Sequence, residues 1–365
     1  MAQPTKQTLT TYLECLLGKP TKILHFGPMG ERPQDSPEGV KAFGYGKPYT
    51  VRVRVDHETK EYVLDTIPIT QGFGHDHRAD RASNLVLSYD TWDKLPDHVR
   101  ITDLGAIMKD GQLKSLGGFE ELFLLRQKVE GNQYRHDLDA LYEGKALTDL
   151  DLQRARALAE YIAEVHSHKK EAPHLYVRKI RDTVGHGECI FGLADSYPRK
   201  TDFLRPNELE ELEKKCVEHR WRLMEKPHRL SQVHGDYHPW NVLFHKNTTR
   251  FTLLDRSRGE FGEPADDIAS MSINYIFFSL RKHGDLRDEY EALYQTFMNH
   301  YLAQTGDREI QETLPLFYTF RCLVVASPLW YPTLTPETRR QLLNLAHNTL
   351  DEKRFNPKKV NSYIL

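Results

Sequence analysis

Residues 233–244, VHGDYHPWNVLF, hold four polar side chains of chemical interest between apolar ends: His234, Asp236, His238 and Asn241. Two chemistries use such a set. Histidine and aspartate at alternate positions of a strand share one face and bind zinc in metal hydrolases. Alternatively, a carboxylate that orients an attacking hydroxyl and nearby oxygen ligands for magnesium are the parts that phosphoryl transfer requires. Residues outside this stretch are needed to distinguish the two chemistries.

The spacing beyond this stretch favours phosphoryl transfer. Asp255 follows at the end of a second apolar run, and the runs VLF and FTLLD predict a hairpin between Asn241 and Asp255. The loop and the end of the second strand would then bring a catalytic base and two oxygen ligands for magnesium to the same point. A metal hydrolase needs further ligands, and no second histidine pair follows at a suitable spacing. The hydrolase therefore stays an alternative, but the weaker one.

Bulk composition limits the class of protein. At 365 residues the chain is long for one core, which favours two lobes. Its hydrophobic share of 39% and net charge of −2 are typical of an ordinary globular protein and give a nucleic-acid groove no global electrostatic support. The four cysteines are far apart, so we expect reduced thiols, and no apolar run of about 18 residues predicts a membrane span. The cytoplasm is the expected location.

The secondary-structure pattern changes near residues 130 and 131. Before that point β-type alternation and one main helix dominate, and after it helical periodicity dominates. We therefore expect an α+β fold with an N-terminal domain over 1–130 and a helical C-terminal domain over 131–365. In chain order the N-terminal part is predicted to hold a helix over 8–17, strands over 49–55 and 62–67, a helix over 78–92, and strands over 99–108 and 121–129.

Three motifs resemble one known family. HGDYHPWN is similar to the catalytic loop of the aminoglycoside phosphotransferase and choline kinase group, and LLDRSRGEFGEPADDIA to its metal-aspartate segment with the following G-x-P-x-x-D motif. LAEYIAEVH resembles the helix that precedes this loop. The resemblance covers roughly residues 40–280. It implies a protein-kinase-like, two-lobed fold, with an antiparallel N-lobe sheet, one main helix and a mostly helical C-lobe.

The resemblance also implies roles for individual residues. Asp236 would be the catalytic base, His234 would brace the loop, and Asn241 and Asp255 would bind Mg²⁺. His238 would be a packing residue. The implied reaction moves the γ-phosphoryl group of ATP or GTP to a hydroxyl on a small molecule, without a nucleic-acid or membrane partner.

Nucleotide contacts are predicted in the N-terminal domain and at its end. Gly44 and Gly46 would cover the phosphates, Arg52 would reach them, and the backbone from Gln127 to Val129 would hold the base. These follow from the resemblance, and the oligomeric state is not predicted.

One departure from the family bears on activity. The family normally has a strand lysine that pairs with the nucleotide phosphates, and here Asp65 stands close to where that lysine is expected. Two interpretations stay open: an inverted ion pair between Asp65 and Arg81 of the following helix, or a solvated Asp65. A replacement cation is sought among Lys47, Arg52, Arg54, Arg256 and Arg258. A nucleotide- or ligand-binding protein without transfer activity is therefore the main alternative function.

The acceptor is not identified by the sequence. Arg178, Lys179 and Arg181 follow one another in the stretch LYVRKIRDTVGHG. They suit an anionic or sugar-like acceptor, and they equally fit a solvated helix face.

Overall fold

The computed structural model describes residues 4–29, 48–69 and 74–365, and the chain divides into two compact units, Met1–Arg126 and Gln127–Leu365. Gly44, Gly46 and Lys47 lie outside the described residues. Each unit is described by itself below.

The first unit begins with helix α1 (Lys6–Leu17) and a three-stranded antiparallel sheet of β1 (Thr21–Pro28), β2 (Tyr49–Val55) and β3 (Glu58–Leu64) in that order. Alternation in β2 buries its valines against Leu13 of α1, because successive side chains of a strand point to opposite faces. The predicted hairpin of β2 and β3 is confirmed. Its turn is shorter than expected, since Asp56, at φ 53°, and His57 alone connect the strands. Strand β1 was not predicted.

The remainder of the first unit holds helix α2 (Arg78–Thr91) and a short hairpin of β4 (Gly105–Ile107) and β5 (Leu113–Ser115). The predicted strand over 99–108 is therefore only three residues long. The predicted strand over 121–129 is wrong: the segment has no regular secondary structure, and the Phe123 and Leu124 side chains are 85% and 97% exposed. An apolar run indicates a strand only where another strand can pair with it, and sequence periodicity does not report pairing.

The second unit is mostly helical, as predicted. Its helices are α3 (Tyr134–Tyr142), α4 (Asp149–Ser167), α5 (Pro173–Gly185), α6 (Ile190–Ser196), α7 (Glu208–Leu223), α8 (Pro264–His283), α9 (Asp288–Thr305), α10 (Ile310–Val325), α11 (Pro336–Leu350) and α12 (Val360–Ile364). Across the described part of the chain, no helix combines the length and the apolar character needed to cross a membrane.

Helix α8 lies at the centre of this unit. Every residue from Asp267 to Leu280 is buried, and the helix packs against both α9 and α10. Helix α4 packs against α9 through a stripe that includes Leu158 and Ile162, the spacing expected of an amphipathic helix. A rigid helical core therefore supports the loops of the unit.

Short strands connect the chemically interesting segments to this core. Strands β8 (Val242–Phe244) and β9 (Phe251–Leu253) form the predicted hairpin, with β6 (Asn132–Gln133) beside β8. Strand β7 (Ser231–Gln232) pairs with β10 (Phe261–Gly262). The loop 233–241 thus runs from one small sheet to the other.

Candidate active site

Leu254 connects the two segments that carry the predicted metal ligands. Its N–H donates to the carbonyl of Asn241 over 2.8 Å, and its carbonyl accepts from Nε2 of His234 over 3.0 Å. In the β8–β9 ladder Val242 lies opposite Leu253, so Asn241 at the start of β8 and Asp255 after β9 emerge at the same end of the hairpin. The backbone geometry therefore agrees with the expectation from the sequence that the loop and the strand end converge.

Gly235 is required by its backbone conformation and by its surroundings. Its φ of +87° lies in the left-handed region, and a Cβ atom built there would be 2.9 Å from Cβ of Arg258. A side chain at this position would be strained and would collide with a neighbour that cannot easily move away. This explains the glycine between His234 and Asp236.

Asp267 holds the loop from below. It is fully buried at the first turn of α8 and accepts the backbone N–H groups of His234 over 2.8 Å and Gly235 over 2.7 Å. It also accepts from Nε2 of His166, whose Nδ1 lies 2.9 Å from the hydroxyl of Tyr301. One buried hydrogen-bond chain under the loop thus joins the last turn of α4 to helices α8 and α9. It restricts the position of Asp236.

Asp236 is surrounded by donors on both carboxylate oxygens. Oδ1 accepts from Nη1 of Arg321 over 2.9 Å, and Oδ2 lies 3.2 Å from Nε2 of His238 and 3.4 Å from Nδ2 of Asn241. Burial by itself would raise the pKa of Asp236, but the hydrogen bond from His238 and the charge of Arg321 outweigh it and hold that pKa well below its ordinary value. The carboxylate is therefore ionised at neutral pH.

The two loop histidines have defined tautomers. Nδ1 of His238 accepts from the N–H of Trp240, so the proton lies on Nε2 and is donated to Asp236. Nδ1 of His234 accepts from the N–H of Asp236, so its Nε2–H is donated to Leu254. Both rings hold the loop in place through these hydrogen bonds.

These contacts argue against the zinc alternative, because both ring nitrogens of His234 are already bonded to backbone. Within the described ranges, the one cluster of three or more metal-ligating side chains is His283, Asp288 and Glu289, at the turn between α8 and α9. Glu289 there is paired with Lys282. A lone cluster of this kind, one of whose members is already neutralised, does not make a hydrolase site.

The oxygen atoms that a magnesium ion would need are free to bind it. Nδ2 of Asn241 faces the carbonyl and carboxylate of Asp236, which leaves its amide oxygen without a hydrogen bond from any described residue. The exposed Asp255, at φ 56°, has no ion-pair partner in the described part of the chain. Carboxylate and amide oxygens suit Mg²⁺, so the residues present fit this ion.

Arg321 is the principal site residue that sequence reasoning missed. It lies in α10 with its side chain 6% exposed, and Nη2 donates to Asp266 over 2.6 Å and to the carbonyl of Gly235 over 3.3 Å while Nη1 holds Asp236. The signal available in the sequence was an arginine inside the apolar run PLFYTFRCLVV. A buried arginine requires anionic partners, but their identity depends on the fold.

The predicted nucleotide contacts are dispersed. Gly44 and Gly46 lie outside the described residues, and Arg52 forms an exposed cross-strand ion pair with Glu61. Gln127 and Val129 are exposed in a segment without regular structure.

The inverted ion pair between Asp65 and Arg81 is not formed. Nη1 of Arg81 donates instead to the carbonyls of His75, Asp76 and His77, at the start of its own helix. Asp65 is exposed just after β3, without an ion-pair partner among the residues that the structure describes. The solvated interpretation of Asp65 is therefore the correct one.

Arg256, the residue after Asp255, has no carboxylate partner among the residues that the structure describes either. Its side chain is exposed, and Nη2 lies 3.5 Å from the carbonyl of Glu260. Glu263, the next carboxylate along the chain, is bound by Arg229 in the core.

Solved structures of several kinases are similar to this one at low identity. An amicoumacin kinase, hAmiN, in complex with AMP-PNP, Ca²⁺ and Ami is 14% identical, with 89% of this chain and 92% of that chain covered and a TM-score of 0.42. A choline/ethanolamine kinase family protein from Mesorhizobium loti is 10% identical, with 90% and 95% covered and a TM-score of 0.38. An ethanolamine kinase from Plasmodium vivax is 13% identical, with 87% and 77% covered and a TM-score of 0.35. No curated protein matches the sequence.

The family comparison is more informative than these structural likenesses. The model of the phosphotransferase enzyme family matches residues 106–308, which is more than half of the chain. That range contains the loop 233–241, Asp255 and Asp267, but it ends before Arg321. The chain belongs to the phosphotransferase enzyme family and has the protein-kinase-like α+β fold that its sequence predicts.

Proposed function

We propose that the protein transfers the γ-phosphoryl group of ATP or GTP to a hydroxyl group of a small molecule, in a magnesium-dependent reaction. The observation that carries the proposal is the hairpin geometry around Leu254. It brings Asn241 and Asp255, whose side-chain oxygens have no partner among the described residues, to the same end of the hairpin, with Asn241 next to the ionised Asp236.

In this proposal Asp236 orients the acceptor hydroxyl and takes its proton as the acceptor oxygen bonds to the γ-phosphorus. The bond from that phosphorus to the β–γ bridging oxygen breaks in the same step, and ADP or GDP leaves. A carboxylate with a lowered pKa is a weak base, so positioning contributes more than proton affinity. Asn241 and Asp255 would hold Mg²⁺, which supplies charge neutralisation at the phosphates. His234 and Asp267 act on the reaction only through the loop backbone that they hold.

The nucleotide contacts are part of the proposal as well. The unit before residue 130 would bind the nucleotide, with Gly44 and Gly46 over the phosphates and the backbone from Gln127 to Val129 at the base. Arg52 would reach phosphate only by leaving Glu61. An exposed ion pair of this kind contributes little, so breaking it costs about 1 kcal/mol at most. The cytoplasm is the proposed location.

A second candidate function is nucleotide or ligand binding without transfer. It is favoured by Asp65, an exposed carboxylate at the position where the family places its phosphate-binding lysine. Loss of that lysine removes one cation from the phosphates. The intact set of Asp236, Asn241 and Asp255 favours transfer.

Thermal unfolding with ATP, with and without MgCl₂, tests the proposal in wild type, Asp255→Ala and Asp149→Ala. Asp149 is a matched control, an exposed aspartate of α4 without a partner among the described residues. We expect ATP to raise Tm only with magnesium, in wild type and Asp149→Ala but not in Asp255→Ala. A saturating ligand at about 100 times its Kd adds about 2.7 kcal/mol of stability, which is measurable.

Turnover then separates the remaining functions. ATP consumption with an alcohol from an acceptor panel, lost in Asp236→Asn, supports transfer. Nucleotide stabilisation that needs no magnesium, without turnover on any acceptor, would establish the binding protein instead. Stabilisation by zinc alone would establish the hydrolase.

A further inference from the structure

Arg258 lies directly beside the loop that carries Asp236. Its Cβ atom is the one that would meet a side chain at Gly235, and its guanidinium carbon lies 5.2 Å from the ring centroid of Phe320 in α10. Nη1 donates to Sγ of Cys189 over 3.3 Å. Burial raises the pKa of the Cys189 thiol, so this sulfur is neutral and does not balance the charge of Arg258.

Lys179, on α5, is the second cation at this place. Its ammonium group donates to the carbonyl of Arg258 over 2.5 Å and lies 3.2 Å from where a Cβ atom on Gly259 would be. Burial lowers the pKa of Lys179, and the negative charges of Asp182 and Asp266 offset this only in part. Both cations are half-buried, and neither lies within ion-pair distance of a carboxylate in the described ranges.

The carboxylates nearest to these two cations already form ion pairs with other arginines. Asp236 and Asp266 both pair with Arg321. Burial by itself would lower the pKa of Arg321, but the two carboxylates outweigh it and raise that pKa above its ordinary value. Asp182 is paired with Arg178 and Arg181. The Arg258 charge still acts on the active site, because it lowers the pKa of Asp236. Arg258 and Lys179 therefore lie beside the base without a direct ion pair to any described carboxylate, in a partly desolvated place.

We propose that the acceptor is an anionic alcohol, carrying a carboxylate or phosphate group that Arg258 and Lys179 bind while its hydroxyl faces Asp236. This inference rests on the proposed function and names its substrate class. A guanidinium presents paired N–H donors that match a carboxylate or phosphate, and a half-buried pair of unlike charges is screened less than an exposed one.

The same charges act against other acceptors. A polycationic acceptor would place ammonium groups near Arg258 and Lys179, where like charges repel at low local dielectric. The cluster therefore selects against cationic amino alcohols and for acidic ones.

Binding and transfer are measured separately with three matched probes: glycerol, glycerate and glycerol 3-phosphate. Titration calorimetry of the full chain gives each Kd, and a coupled ADP-release assay with ATP and MgCl₂ gives KM and kcat. The variants are Arg258→Gln and Lys179→Gln, with Arg222→Gln of α7 as control, an exposed arginine paired only with Glu218. Unliganded Tm shows that each variant is folded.

We expect an anionic probe to bind and glycerol not to bind. Arg258→Gln and Lys179→Gln should each weaken binding of that probe by about tenfold or more, with ATP–magnesium stabilisation kept and Arg222→Gln without effect. Whether glycerate or glycerol 3-phosphate binds more tightly distinguishes a carboxylate from a phosphate acceptor.

The inference and the proposed function fail in different ways. If anion binding depends on Arg258 but no phosphoryl transfer occurs to any probe or other acidic alcohol, the anion site is supported and the proposed kinase function is refuted. Transfer to cationic amino alcohols with a KM unchanged in Arg258→Gln retains the kinase and overturns the anion site. Loss of ATP–magnesium stabilisation in Arg258→Gln and Lys179→Gln, with acceptor binding unchanged, would also overturn it, because the cations would then bind nucleotide.

Discussion

Replacing Asp267 by asparagine should destabilise the second unit and loosen the loop that carries Asp236. Oδ2 of Asp267 accepts from the N–H of His234 and from His166, whereas Oδ1 accepts from the N–H of Gly235. An asparagine keeps one oxygen, which can serve His234 and His166. Its NH₂ group then faces the Gly235 N–H, where a donor meets a donor.

The magnitude follows from these contacts. One hydrogen bond to a charged acceptor is lost, worth about 1.5–3 kcal/mol, and the buried Gly235 N–H is left unsatisfied, which is part of the same cost. We expect the free energy of unfolding to fall by about 1.5–3 kcal/mol. A domain of ordinary stability stays folded after such a loss, so the effect is measurable in urea.

Asp149→Asn is the matched control. Asp149 and Asp267 both lie in the first turn of a helix, so both variants lose a negative charge at a helix N-terminus. The exposed Asp149 has no hydrogen-bond partner among the described residues, so its loss should cost about 0.5 kcal/mol or less. We also expect faster hydrogen exchange of the Gly235 amide and a lower kcat in Asp267→Asn only.

Equal unfolding midpoints for the two variants, with unchanged exchange at Gly235, would refute the proposed bracing by Asp267. A lower kcat with unchanged stability and exchange would show instead that the charge of Asp267 acts on the reaction itself. In either case the buried hydrogen-bond chain through His166 would not position Asp236.

Two further predictions concern the same loop. Gly235→Ala should lower the free energy of unfolding by about 1–3 kcal/mol, because alanine is strained at φ +87° and its Cβ would meet Cβ of Arg258. Urea unfolding measures this loss, and a variant as stable as wild type would contradict the geometry. Arg321→Met should raise the pKa of Asp236 by about 1–3 units and move the acidic limb of the pH–rate profile upward. Because the folded-state pKa of Asp236 is lowered, its stabilisation is present above its unfolded pKa of about 3.9 and is lost as pH falls from there towards the folded-state pKa. The stability difference between wild type and Arg321→Met should therefore be nearly constant from pH 7.5 to about pH 5 and should narrow from about pH 4 towards pH 2. A difference independent of pH would show that Arg321 acts by packing alone.

The parts of the site that are local in sequence could be predicted. His234 to Asn241 lie on one loop, and Asp255 is one hairpin away, so spacing and alternation place them together. The same local rules predicted α1, the β2–β3 hairpin and the amphipathic α4. They were wrong for residues 121–129, because pairing partners decide whether an apolar run becomes a strand.

Sequence alone therefore determined the family, the α+β class and the short-range positions of Asp236, Asn241 and Asp255. Only the tertiary structure decided which side chains surround Asp236. Arg321 is 85 positions away along the chain, and it reaches Asp236 because α10 packs beside α8. His166 reaches Asp267 across 101 positions in the same way. Burial forces each of these polar groups to find a partner, but only the packing of the helices determines which partner it finds.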